Sequence, residues 1–140
     1  MKLKEKRGAS LVEFAIVVPL LMLFVFGIIE FSILLYDKAM LTNACREGAR
    51  AGIVYHPSAR PSQSDVEQIV RSYCINNLIT FGADANVTVT TTPVDPTLIA
   101  SGDTLTVDAR YQYTFLVLPA FLTDFAGGLE LKALSTMRAE

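Results

Sequence analysis

"GASLVEFAIVVPLLMLFVFGIIEFSILLY", residues 8–36, decides the fold, because its length and lack of charge suit a lipid bilayer better than a soluble core. Phe14 to Ile29 is sixteen consecutive residues without an ionisable side chain. At about 1.5 Å per residue, a helix from Leu11 to about Leu35 crosses a hydrocarbon layer of roughly 30 Å. A secretory signal has a shorter apolar region, about 7 to 15 residues, followed by a small-x-small cleavage site. Here the apolar run continues into Phe31, Ile33, Leu34, Leu35 and Tyr36 with no such site after it, so residues 9–36 read as a retained transmembrane helix.

Upstream lie Lys2, Lys4, Lys6 and Arg7 against Glu5, so the first eight residues carry +3 and the remainder −5. Cationic flanks stay in the cytoplasm, which predicts a single pass through the membrane, the amino terminus cytoplasmic and everything after Tyr36 extracytoplasmic. The acidic main body is a poor partner for nucleic acid. The chain's 140 residues, 51% apolar and 19% charged, leave room for one modest domain beside the helix.

Two residues interrupt the apolar run. Pro19 removes one helical hydrogen bond, to the Ala15 carbonyl, and predicts a kink or softened turn over residues 15–19. Glu13 costs about 2–3 kcal/mol on insertion scales unless it has a partner or snorkels to the interface. A cut between Gly8 and Ala9 would place a new ammonium about one helical turn from Glu13, on the same chain or a neighbour, and neutralise that carboxylate in an apolar setting.

A basic leader, Gly8, four residues, then Glu13-Phe14 and an apolar helix resembles the class III signal of type IV pilins and pseudopilins. With Pro19, Glu30, "ACREGARAG" (residues 44–52) and the carboxyl-terminal "LSTMRAE", it resembles more closely the TadE-like minor pilins of the tight-adherence (Flp) pilus system. The resemblance implies that prepilin peptidase cuts between Gly8 and Ala9, that Glu13 serves processing and assembly, and that Phe14 is the aromatic following it. It implies as partners the inner membrane, prepilin peptidase, other pilins or pseudopilins and the assembly platform, in a pilus for adhesion and biofilm formation. Ala9 stands where many type IV pilins have Phe or Met, so the likeness does not extend to amino-terminal methylation. The chain divides into a leader (1–8), the transmembrane and assembly helix (9–36), its extracytoplasmic continuation (37–55) and a small α+β domain (56–140).

In the continuation, Leu41, Cys45, Gly48 and Gly52 fall within about 60° at 100° per residue. Ala44, Gly48 and Gly52, four apart, form a small-residue stripe suited to close helix packing, although glycines also fray helices. Residues 56–64, "HPSARPSQS", form a loop. Ser64 and Glu67 have capping-box spacing and open a second amphipathic helix over about 65–80, with Val66, Ile69, Val70, Tyr73 and Cys74 on one face. Packing the two stripes together makes Cys45–Cys74 a candidate disulfide, whose loop of about 30 residues would contribute roughly 3 kcal/mol; the alternative is two buried thiols.

Beyond Gly82 the period becomes two. "NVTVTTT", "DTLTVDARYQYTFLV" and "LELKALSTMRAE" predict three antiparallel strands with one apolar face toward the helices, an α+β fold with a long N-terminal helix and a second amphipathic helix. The apolar connection Leu116 to Phe125 could be core, membrane-facing or a subunit contact.

One His (His56), no phosphate loop, no HExxH and no carboxylate cluster leave nothing to assemble a catalytic site, a metal site or a cofactor pocket, so neither an enzyme nor a small-molecule binder is expected. Besides the minor pilin, two roles fit the residues: a secretion-system pseudopilin, and a single-pass anchored binding module that never enters a filament.

Overall fold

The computed structural model describes residues 2–54, 60–82, 84–115 and 128–139, with the backbone alone for residues 2–7 and 9. In chain order the elements are α1 (Lys2–Ile53), α2 (Gln63–Asn77), β1 (Val87–Thr92), β2 (Thr104–Tyr113) and β3 (Leu129–Arg138), with a 3₁₀ turn at Pro96–Leu98. This is the α+β arrangement the sequence predicts.

The helix is unbroken from Lys2 to Ile53, in the domain core. It stays helical through Pro19, so the expected softened turn does not interrupt it. A proline deletes one hydrogen bond, and the turns on either side hold the ladder. From Ser10 to Ile29 no side chain is buried, and the apolar residues face outward all round. Such a surface belongs in lipid or against other protein, not in water.

α2 starts and stops earlier than the periodicity predicts. Its N-cap is Ser62, whose hydroxyl accepts the Asp65 N–H while the Asp65 carboxylate accepts the Ser62 N–H at 2.9 Å. The capping box is therefore Ser62/Asp65, not Ser64/Glu67; a short acid in the third helical position closes the same reciprocal pair. Glu67 instead accepts from Gln63 Nε2 at 2.9 Å, one turn away. The helix ends at Asn77, where the Leu78 N–H reaches back to the Cys74 carbonyl.

The sheet has the order β1-β2-β3, both pairs antiparallel. Along β2, Leu105, Val107, Ala109, Tyr111 and Tyr113 alternate inward and are buried against the helices. The other face is polar, with Thr106 and Thr136 hydroxyls hydrogen-bonded across the pair at 2.9 Å. A sheet with one solvated face needs only one helical layer, and α1 and α2 supply it.

The layers have a common polarity. Gly52 of α1 lies against Leu105 at the start of β2, and Glu30 lies against Tyr113 at its end. Val66 near the start of α2 sits on Gly48 and Gly52, while the Ile79 N–H just past its end meets Asp37. Both α2 and β2 therefore run antiparallel to α1. Their trailing ends lie at the domain's proximal end, next to the bare apolar part of α1. The turn between β1 and β2 lies at the opposite, distal end, where Thr92 pairs with Thr106. Loop residues 55–59, with His56, and the apolar connection 116–125 lie outside the described residues.

Candidate functional site

Gly8 and Glu13 lie on continuous helix, and both are exposed. Ala9 is helical in its backbone. Glu13 has no hydrogen-bonding or ionic partner among the described residues, and Phe14 beside it is exposed as well. A bare carboxylate on a helix whose other exposed residues up to Ile29 are almost all apolar is an unsatisfied demand for a cation.

The second acid of the run is treated differently. Glu30 is only 2% exposed, and its Oε1 accepts the Tyr113 hydroxyl at 2.6 Å. Burial, reinforced by the hydrogen bond to Glu30, keeps the Tyr113 phenol protonated far above its ordinary range. Tyr113 also stands edge-on to Tyr111 and to Phe115, with ring centroids 6.5 and 5.7 Å apart. The folded domain thus takes hold of α1 at Glu30, inside the stretch that hydropathy alone assigns to the membrane.

Two turns on, Asp37 is fully buried; its Oδ1 accepts the Ile79 N–H at 3.0 Å, and Oδ2 has no partner among the described residues. Desolvation raises its pKa, and the Ile79 hydrogen bond works against that rise. Glu30 and Asp37, seven residues apart, share a helix face at 100° per residue, and that face is the one the domain covers. Sequence reading left both roles unassigned, and the seven-residue spacing of two acids was the available signal.

Gly48 and Gly52 are where α2 and the sheet come close to α1. A Cβ on Gly48 would lie 2.5 Å from Val70 Cγ2, and one on Gly52 would meet Leu105 Cδ2. Ala44 is fully buried in the same stripe. Gly48→Ala is expected to lower domain stability, because overpacking costs about 1–3 kcal/mol and the helix propensity regained is about 1 kcal/mol at most. Thermal unfolding in detergent, followed by circular dichroism, measures it. An unchanged midpoint would mean that Val70 yields freely, which a β-branched side chain in a filled core does not do.

Cys45 and Cys74 are both fully buried in this core and are free thiols. Cys45 Sγ is turned toward β3, where it donates weakly to the Ala133 carbonyl at 3.5 Å, so the candidate disulfide is not formed. Burial pushes their pKa values up, to about 11 and about 12, with Cys45 contributing to the rise at Cys74. At about pH 8 the thiolate fraction is then roughly one in a thousand or less, and neither thiol is expected to react with iodoacetamide until the domain unfolds. Peptide mass mapping before and after denaturation checks this.

Among the described residues no group of three or more His, Cys, Asp or Glu side chains could hold a metal ion. The salt bridges among them, such as Lys132 to Glu130 at 2.8 Å, each lie within one element, with the cation exposed and the acid exposed or half-buried. What the chain concentrates is a bare apolar helix with one free acid, joined to a domain that buries the next two.

One comparison with known proteins finds a match. Residues 8–50 match the family model described as TadE-like protein, a segment that begins at Gly8, contains Glu13, Glu30 and Asp37, and ends after the Gly48 contact. Neither a search of curated proteins nor one of solved structures finds a match. Over residues 8–50 the chain is similar to the TadE-like family, which is consistent with a TadE-like protein of the tight-adherence pilus system.

Proposed function

We propose that the protein is a minor pilin or pseudopilin, held in the inner membrane by residues 9–29 of α1 with its amino end cytoplasmic and its domain extracytoplasmic. Prepilin peptidase cuts after Gly8, and the new ammonium of Ala9, on this chain or an adjacent subunit, neutralises Glu13 as subunits gather. The protein acts as a structural partner of other pilins and the assembly platform, not as an enzyme. One observation carries this reading: Glu30 and Asp37 are buried against the domain, whereas Glu13 is exposed on a bare apolar helix without a partner among the described residues. A charge left in that position is stabilised only by something outside the chain's own domain.

Intact-mass measurement of protein extracted from membranes tests the processing step. In cells with an active prepilin peptidase the mass should correspond to a chain beginning at Ala9. Protein still carrying Met1 to Gly8 in such cells contradicts it.

A further inference from the structure

Phe81 is 74% exposed and has a positive φ of 47°, followed by Gly82 at 92°. A left-handed turn normally recruits Gly, Asn or Asp, and a bulky aromatic there is strained. The side chain does not repay that strain by burial, since it projects into solvent. An exposed, strained aromatic is the kind of outlier that points to a contact outside the molecule.

The fold says where that contact lies. α2 runs toward the proximal end of the domain and β1 runs away from it, so the link between Leu78 and Val87 must turn there. One anchor of the link is the Ile79 N–H on Asp37, and the other is Val87 paired with Tyr111, two residues before the Tyr113 that meets Glu30.

The heights agree. Ser10 to Ile29 is twenty residues, about 30 Å of helix, which fills the hydrocarbon layer and leaves Glu30 at its outer edge. Asp37 then stands about 10 Å above that edge. Thr80 and Phe81 extend up to about 7 Å beyond Ile79, which brings the aromatic ring within reach of a headgroup layer roughly 5–7 Å deep. Ile75, in the last turn of α2, is also exposed on this proximal half.

We propose that Phe81 is a second membrane contact, inserting into the outer interfacial layer of the bilayer that α1 crosses and fixing how α1, with the domain packed on it, is turned about the helix axis relative to the bilayer surface. The contact continues the apolar surface of α1 onto the domain, and it rests on the reading of residues 9–29 as the membrane span. Aromatic side chains at this depth hold a protein to the interface without crossing it.

The chain has no tryptophan, so a single Phe81→Trp substitution gives a clean reporter. Full-length protein is reconstituted in phosphatidylcholine vesicles, with and without lipids brominated on the acyl chain near the headgroup. Phe24→Trp, six residues before Glu30 and so about 9 Å inside the outer edge of the span, reports insertion of α1. Leu98→Trp, in the distal 3₁₀ turn and 79% exposed, reports the far end of the domain. Blue-shifted emission that brominated lipid quenches at positions 24 and 81, with position 98 red-shifted and unquenched, is the expected result. Quenching at 24 with position 81 behaving like 98 overturns the proposal and leaves the membrane span standing. A blue shift at 81 without quenching overturns it too, since the ring would then be covered by protein. Quenching at 98 as well as 81 would mean the domain lies flat on the lipid, contrary to the proposed seat. Loss of quenching at 24 removes the span itself.

Discussion

Tyr113→Ala is expected to destabilise the folded domain by about 3–5 kcal/mol, and Tyr113→Phe by about 1–3 kcal/mol. Tyr113 is the largest of the fully buried side chains among the described residues, and it closes the proximal end of the core. Truncation to alanine opens a cavity, removes two edge-to-face ring contacts and takes the phenol donor from Glu30. Phenylalanine keeps the volume and the ring contacts, so it isolates the hydrogen bond. That bond is short and its acceptor is a carboxylate, which places it among the stronger kind. For a domain of 60–100 residues each kcal/mol moves the melting midpoint by roughly 4–8 °C, so the two variants separate clearly in a thermal scan in detergent. If Tyr113→Phe melts with the wild type, the phenol and Glu30 are not coupled, and the domain is held to α1 by apolar packing and the Asp37–Ile79 hydrogen bond.

Much of this architecture is legible in the residues. The two-residue alternation from Leu105 to Tyr113 predicts a strand with a buried face, and the structure has it at that register, because a one-residue slip would expose every apolar side chain. The small stripe at Ala44, Gly48 and Gly52 likewise marks a face of α1 that the domain covers. What hydropathy cannot see is where the domain's cover of α1 begins, since Ile33 and Leu34, partly buried on the core, are as apolar as the bare Phe24. The domain's hold on α1 begins at Glu30, through a tertiary partner 83 residues away, Tyr113. The α2 start moved for a local reason: Ser62/Asp65 and Ser64/Glu67 satisfy similar spacing rules, and Asp65 reaches back to the Ser62 backbone. The candidate disulfide joined the correct two helices but could not foresee the β3 carbonyl that Cys45 faces.

Glu13→Leu is expected to leave insertion and folding unchanged and to abolish incorporation into filaments. The side chain is exposed and lies seventeen residues before the first buried contact of the domain, so no interaction with the described residues is lost with it. Removing a carboxylate from an apolar helix should, if anything, ease insertion, by up to about 2–3 kcal/mol on translocon scales. In an assembled filament the balance reverses. The Ala9 ammonium would be left unpaired in an apolar setting, and deleting one partner of a buried pair costs about 3–5 kcal/mol. At about 1.4 kcal/mol per factor of ten, that lowers incorporation by about two to three and a half orders of magnitude. Sheared-filament fractions and membrane fractions probed for the same protein separate the two effects. A protein whose helix is merely a tether should be indifferent to the change. Normal amounts of Glu13→Leu protein in sheared filaments would remove the charge pair from the mechanism, and equal membrane levels with none in filaments would locate the defect at assembly.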